Sequence, residues 1–173
     1  MKTVLAVLLA GFSIAATNVQ PDPFASNSRV HVLLFVRTDC PLTNRYAPEL
    51  QRIAAEFQQK ADFWLVYPDP SETPKAIEEH IAEYHFPGTA VQDPHHALVK
   101  RAHATVAPEA AVFDSNGALK YHGRIDDRYV DWGKSRPAAQ VHDLENAISA
   151  VLAGKPVAQP ETHAIGCSLA DVE

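Results

Sequence analysis

The feature that most constrains the fold is a cysteine at the junction of a predicted strand and a predicted helix. Residues 30–36 are almost entirely apolar, which is typical of a central strand buried on both faces. Cys40 and Pro41 follow after three residues, and an amphipathic helix is predicted over 43–60. The junction places the Cys40 sulfur at the positive end of the helix dipole, which favours the reactive thiolate.

The N-terminal residues have the pattern of an export signal. Lys2 supplies a positive start, residues 4–16 are apolar, and small residues stand at the end of the run. The run is short for a membrane span. We therefore predict a signal peptide at 1–16, a leader at 17–28 and a periplasmic or secreted protein, with a retained N-terminal anchor as the alternative.

The roughly 155 residues that would remain are enough for one domain with a full hydrophobic core. We expect a domain at 29–154 and a C-terminal tail at 155–173, which carries Cys167. The formal net charge of −6 argues against nucleic acid or an anionic membrane surface as the main partner.

Strand and helix patterns alternate along the domain. Thr73 is the expected N-cap of a helix with Pro74 at its first position, Asp93 is expected to open a further helix, and Asp114–Gly117 is expected to join two strands as a hairpin. The remaining predictions are strands at 61–67, 88–92, 110–113 and 119–122, and helices at 73–85, 93–103 and 138–152. This order predicts a three-layer α/β sandwich with a mixed sheet.

The motifs Cys40-Pro41-Leu42-Thr43 after a strand and Val106-Ala107-Pro108-Glu109 before a hairpin resemble the thioredoxin fold. Within that superfamily, the chain is similar to the redoxin branch, which includes the alkyl hydroperoxide reductase/thiol-specific antioxidant (AhpC/TSA) family and exported TlpA-like proteins. Thr43 occupies the place of the second cysteine of thioredoxins, so the local disulfide partner is missing.

The resemblance implies a role for each matched residue. Cys40 would be the nucleophilic thiol, and Thr43 would donate a hydroxyl hydrogen bond to its sulfur. Pro108 would be the fold's cis-proline, opposite Cys40, beside a groove for an extended substrate segment. The implied activity is thiol–disulfide exchange with protein or small-molecule thiols. A peroxidase is less expected, because Arg37 stands where peroxiredoxins carry a serine or threonine.

The charges around Cys40 have opposing effects. The Asp39 carboxylate is expected to raise the pKa of the neighbouring thiol. Arg37 and Arg45 are the cations that could offset it.

Cys167 is the candidate partner of Cys40, and three arrangements are open. Cys167 is a resolving thiol on a mobile tail, it forms a permanent structural disulfide with Cys40, or the two cysteines are separate free thiols. The second arrangement defines the alternative function: a non-catalytic binding module, for a protein or copper, with a locked disulfide.

No metal site is predicted, although the chain has nine histidines. A soft-metal site normally needs several sulfur ligands or a tight histidine cluster. The histidines around the middle helices are expected to be mostly solvated: His80, His85, His95, His96 and His103. Thiol–disulfide exchange also requires no organic cofactor.

Overall fold

The computed structural model describes residues 21–25 and 29–170. The predicted signal peptide and most of the predicted leader lie outside these residues. The described part of the leader packs against the domain. The Phe24 ring centroid lies 5.0 Å from that of Phe113 in an edge-on contact, and Arg101 Cζ lies 3.5 Å from the Phe24 ring centroid. Within the described ranges, no helix has the length and apolar character to cross a membrane.

The elements follow the predicted alternation of strands and helices, with short strands added. In chain order they are β1 (Val30–Phe35), α1 (Pro41–Phe57), β2 (Ala61–Tyr67), α2 (Pro74–Tyr84), β3 (Thr89–Gln92), α3 (Ala97–Ala102), β4 (Val106–Ala107), β5 (Glu109–Phe113), β6 (Leu119–Gly123), β7 (Tyr129–Asp131), β8 (Lys134–Ser135), α4 (Asp143–Leu152) and β9 (Cys167–Ser168).

The main sheet has five strands in the order β3-β2-β1-β5-β6. β1, β2 and β3 are parallel, whereas β5 and β6 are antiparallel to their neighbours. Parallel neighbours require crossover connections, which α1 and α2 supply. The predicted α/β sandwich with a mixed sheet is confirmed.

β1 is buried on both faces, as its apolar run predicts. Because side chains alternate along a strand, Val32 and Leu34 enter one core, which is shared with α1 and α4. Leu33 and Phe35 enter the other core, which is shared with α3. The central strand therefore fixes the position of the loop that carries Cys40.

Two predicted helix starts are set by local hydrogen bonds. Thr73 caps α2 and accepts the Ala76 N–H at 3.2 Å, as expected. Asp93 does not begin α3, which starts at Ala97. Its carboxylate instead accepts the N–H groups of residues 97, 98 and 99 at 2.8 to 2.9 Å, so it satisfies the first turn from outside the helix.

The predicted start of the last helix is wrong by five residues. Val141 lies within the predicted helix over 138–152, but it is exposed and precedes α4. The Asp127 carboxylate accepts the N–H groups of Gln140 and Val141 at 2.6 and 3.0 Å. These long-range bonds hold the segment in a non-helical conformation.

Candidate active site

Cys40 lies at the N-terminal cap of α1, directly before Pro41. Its backbone is extended, its carbonyl accepts the Asn44 N–H at 3.2 Å, and its side chain caps no N–H group. The N–H groups of a first helical turn have no acceptor within their own helix. The sulfur therefore lies at the positive end of α1, as predicted.

Cys40 forms a disulfide with Cys167, which is 127 residues away and 6.1 Å distant between Cα atoms. The alternative of two separate free thiols is wrong for this structure. Cys40 is 0% exposed, whereas Cys167 is partly exposed. Cys167 is thus the more exposed residue of the disulfide while the tail is docked.

The tail reaches Cys40 by adding a short strand to the domain. β9 pairs antiparallel with β4, with Cys167 opposite Ala107. The Arg37 guanidinium donates to the Ser168 carbonyl at 3.0 Å, and the Leu169 side chain is buried in the core shared with α3. Backbone pairing, one cation and one apolar anchor hold the tail beside the disulfide.

Two glycines mark where the tail approaches the domain most closely. A Cβ at Gly166 would overlap the Ala107 backbone, and a Cβ at Gly123, whose φ is +139°, would overlap Thr162. Backbone cannot move aside as a flexible side chain can. A residue without a Cβ is required at both contacts.

Pro108 lies next to Cys40, and the Ala107–Pro108 peptide bond is cis, as the resemblance implied. The Ala107 carbonyl oxygen is 3.0 Å from the Cys40 sulfur. The structure thus brings Cys40, Cys167 and Pro108 together. Their catalytic roles stay predictions.

The hydrogen bond predicted from Thr43 to the Cys40 sulfur is not formed in this disulfide state. The Thr43 hydroxyl is buried, and it has no hydrogen-bond partner among the described residues. The Cys40 sulfur instead lies against the Ala107 carbonyl and is bonded to Cys167.

The charge beside Cys40 is balanced by Arg37. The Arg37 guanidinium donates two hydrogen bonds to the Asp39 carboxylate, at 3.0 and 2.9 Å, and lies 3.9 Å from Asp69. Arg37 is therefore the cation that offsets Asp39, and it also binds the tail.

A buried carboxyl that the sequence reasoning missed supports the Cys40 loop. Glu72 accepts the Thr38 N–H at 2.6 Å through one oxygen, while the other oxygen is buried without a hydrogen-bond partner in the described structure. Burial raises the pKa of the Glu72 carboxyl, the Thr38 hydrogen bonds oppose that shift, and Asp69 and Asp39 add to it.

Glu72→Gln is expected to stabilise the protein progressively, relative to wild type, as the pH rises. A raised pKa in the folded state means that the carboxyl favours folding below its unfolded pKa and that this contribution is lost as the pH rises through the folded pKa. Glutamine stays neutral and still accepts the Thr38 N–H. Urea denaturation of both proteins at acidic and neutral pH measures the change. The exposed Glu78→Gln is the control, and a Glu72→Gln difference that does not vary with pH would contradict the assignment.

Glu109, next to Pro108, is a second buried carboxylate that the sequence reasoning did not single out. It accepts the Thr105 N–H at 2.8 Å and the Val106 N–H at 3.3 Å, and its other oxygen is 3.3 Å from His122 Nδ1. It therefore holds in place the segment that forms β4, on which the tail pairs. A carboxylate directly after Pro108 in the motif was the available signal.

Three of the five histidines expected to be mostly solvated are exposed, and two are buried. His80 is buried, and its ring nitrogens are bonded to the Tyr67 hydroxyl at 3.0 Å and the Asn44 side chain at 2.8 Å. Burial lowers the pKa of His80. His96 is also buried, with Nε2 3.2 Å from the Pro68 carbonyl. Both rings are therefore buried side chains that hydrogen bonds hold in place.

The profile of the AhpC/TSA family matches residues 15–122, which is more than half of the 173-residue chain. The chain belongs to the AhpC/TSA family. The family match includes Cys40 and Pro108 but ends before the tail, so this AhpC/TSA-family chain closes its disulfide with a residue outside the matched region. No curated protein matches the chain.

Solved structures share the fold of this AhpC/TSA-family chain at low sequence identity. An uncharacterized conserved protein from Geobacillus kaustophilus is 24% identical with a TM-score of 0.68, over 82% of this chain and 77% of that one. A hypothetical protein from Sinorhizobium meliloti is 23% identical with a TM-score of 0.69, over 83% and 80%. A secreted Mycobacterium tuberculosis disulfide oxidoreductase, homologous to E. coli DsbE, is 20% identical with a TM-score of 0.51, over 71% and 82%.

Proposed function

We propose that this protein is an exported thiol–disulfide oxidoreductase that exchanges electrons with protein thiols or small thiols through Cys40 and Cys167. One observation carries the proposal: the two sulfurs are bonded at the N-terminus of α1, inside a thioredoxin-like fold. A helix N-terminus stabilises the thiolate that forms when such a bond is broken. The sulfur pair itself stores two electrons, so no organic cofactor is needed.

In the reaction with a substrate disulfide, the reduced Cys40 thiolate attacks one substrate sulfur. A Cys40–substrate disulfide forms, and the other substrate sulfur leaves as a thiolate. The Cys167 thiolate then attacks Cys40, which closes the Cys40–Cys167 bond and releases the second substrate thiolate. The protein loses two electrons and the substrate gains them.

The reaction that restores the dithiol begins at Cys167. Cys40 is fully covered while the tail is docked, and Cys167 is partly exposed. A donor thiolate therefore attacks Cys167, and Cys40 leaves as a thiolate at the positive end of α1. A second donor thiolate attacks the donor sulfur of the mixed disulfide, which releases Cys167 and an oxidised donor.

Burial of Cys40 favours one competing function, the binding module with a locked disulfide. A disulfide whose inner sulfur is 0% exposed and whose tail is anchored by Leu169 resists reagents that approach Cys40 directly. The two functions differ in whether the folded protein opens this bond. An oxidoreductase opens it without unfolding, whereas a locked module opens it only after unfolding.

Equilibration in glutathione buffers tests the proposed function. We expect the folded wild-type protein to interconvert between disulfide and dithiol as the ratio of reduced to oxidised glutathione changes. Acid quenching, alkylation and mass spectrometry count the free thiols, and circular dichroism follows the fold in the same samples. A disulfide that stays closed in every buffer until denaturant is added would support the locked module instead.

A further inference from the structure

A cavity of about 740 Å³ lies between the domain and the tail and is not used by the proposed exchange reaction. Its walls are the end of α3, the strand β6 and the tail segment 161–164, which leads to Cys167. Three histidines and two glutamates line it: His103, His122, His163, Glu109 and Glu161. The other lining residues are uncharged, so the cavity has carboxylates and imidazoles without a competing lysine or arginine.

His122 is held in the orientation of a metal ligand. The buried Glu109 carboxylate, which is 4% exposed, lies 3.3 Å from His122 Nδ1. A carboxylate only accepts hydrogen bonds, so Nδ1 carries the hydrogen of this contact and, in the tautomer that binds a metal, the lone pair lies on Nε2. A carboxylate that orients a histidine through its second nitrogen is the usual outer partner of a metal-bound imidazole.

Further donors surround that lone pair. Glu161 Oε2 is 3.9 Å from His122 Nε2, and the His103 and His122 ring centroids are 5.8 Å apart. His103 and His163 are exposed side chains that line the same cavity. Imidazole nitrogen with carboxylate oxygen is a donor set that suits Zn²⁺ and Cu²⁺.

We propose that this cavity binds one divalent first-row metal ion of the Zn²⁺ or Cu²⁺ type. His122 Nε2 and Glu161 supply two ligands, and His103 or His163 completes the set. Glu109 is a positioning residue, because it acts through His122.

The ligands come from two parts of the chain that meet only when the tail is docked. His103 and His122 belong to the domain, whereas Glu161 and His163 belong to the tail. An ion that binds both parts favours the docked tail, and by linkage the docked tail favours the ion. Bound metal therefore slows reduction by any reagent that reaches the disulfide only after the tail has undocked. The metal site itself does not depend on the proposed exchange activity.

A second cluster of donors is a poorer site. Donor atoms of Glu49, Asp126 and His142 lie within 4.8 Å of one another. However, Arg52 donates to Glu49 at 2.8 Å, and the Tyr46 hydroxyl donates to Asp126 at 2.7 Å. These carboxylates already have protein donors, so they gain less from a cation than Glu161 in the cavity between the domain and the tail does.

Calorimetric titration of the oxidised full chain with Zn²⁺ tests the site, since the oxidised protein has no free thiol to compete for zinc. We expect one Zn²⁺ per chain and affinity at least about 10-fold weaker in His122→Ala and in the exposed Glu161→Gln. His95→Ala, an exposed histidine outside the cavity, should bind like wild type. The proposal would be overturned if wild type bound no zinc, or if His122→Ala and Glu161→Gln both bound zinc as tightly as wild type. Loss of binding in His142→Ala alone would also overturn it.

The linkage has its own readout. Saturating Zn²⁺ should slow reduction of the wild-type disulfide by a bulky, non-chelating phosphine, which reaches the sulfurs when the tail undocks, and leave the rate in Glu161→Gln unchanged. An equal zinc effect on both proteins would show that the ion does not act through the tail. Because a phosphine also reduces a locked disulfide, this result is separate from the glutathione test of the proposed function.

Discussion

Cys40→Ser is expected to abolish thiol–disulfide exchange, with a loss of roughly a thousandfold or more in kcat/KM. A serine hydroxyl is not ionised at neutral pH, even at the positive end of α1, and it forms no bond with a substrate sulfur. The rate of reduction of a fluorescent disulfide substrate, with a dithiol as electron donor, measures the loss.

Cys167→Ser is the matched control for Cys40→Ser, because both variants lack the same disulfide and release the same tail. Cys167→Ser should still attack a substrate disulfide once, and it should accumulate a mixed disulfide on Cys40 that peptide mapping detects. A difference in reactivity between the two variants therefore reports the role of the Cys40 thiol and not the loss of the disulfide. Exchange by Cys40→Ser at the wild-type rate would exclude Cys40 as the reacting sulfur.

Loss of the disulfide is expected to lower the free energy of unfolding by about 4–5 kcal/mol in the chain-entropy model. The bond joins residues that are 127 positions apart, so it constrains most of the unfolded chain. Urea denaturation of oxidised wild type and Cys167→Ser measures the difference. Ser168→Ala, one residue further along the tail, keeps the disulfide and should change stability by less than about 1 kcal/mol.

A difference of under about 1 kcal/mol for Cys167→Ser would contradict this expectation. It would mean that the unfolded chain is already compact enough to keep the two cysteines near each other. The exchange chemistry would be unaffected by that result, since it depends on the folded state.

Elements defined by local patterns could be predicted from the sequence. β2 has the predicted bounds, because a largely apolar run is followed by a proline. Thr73 caps α2 because side chain and N–H group are only three residues apart. The positions of Cys40 before α1 and of the cis-proline Pro108 could be predicted from the resemblance, because each residue lies in a short contiguous motif.

Features set by contacts between distant residues could not be predicted. The start of α4 depends on Asp127, which binds a segment 13 and 14 residues later. The Thr43 hydroxyl is buried without a hydrogen-bond partner among the described residues, which the motif does not encode. Glu72 and His122 become site residues only when separate elements bring them to the Cys40 loop and to the tail.

The pairing of β9 with β4 has a consequence for partner choice. Residues 167–168 lie along the backbone next to Pro108, on the edge that an extended peptide would use by strand addition. The tail therefore competes with an extended peptide for that edge. Such a peptide would bind only the fraction of molecules whose β4 edge is vacant. Its apparent dissociation constant is the intrinsic value divided by that fraction. Small thiols need no backbone edge, so docking of the tail on β4 does not weaken their binding in this way.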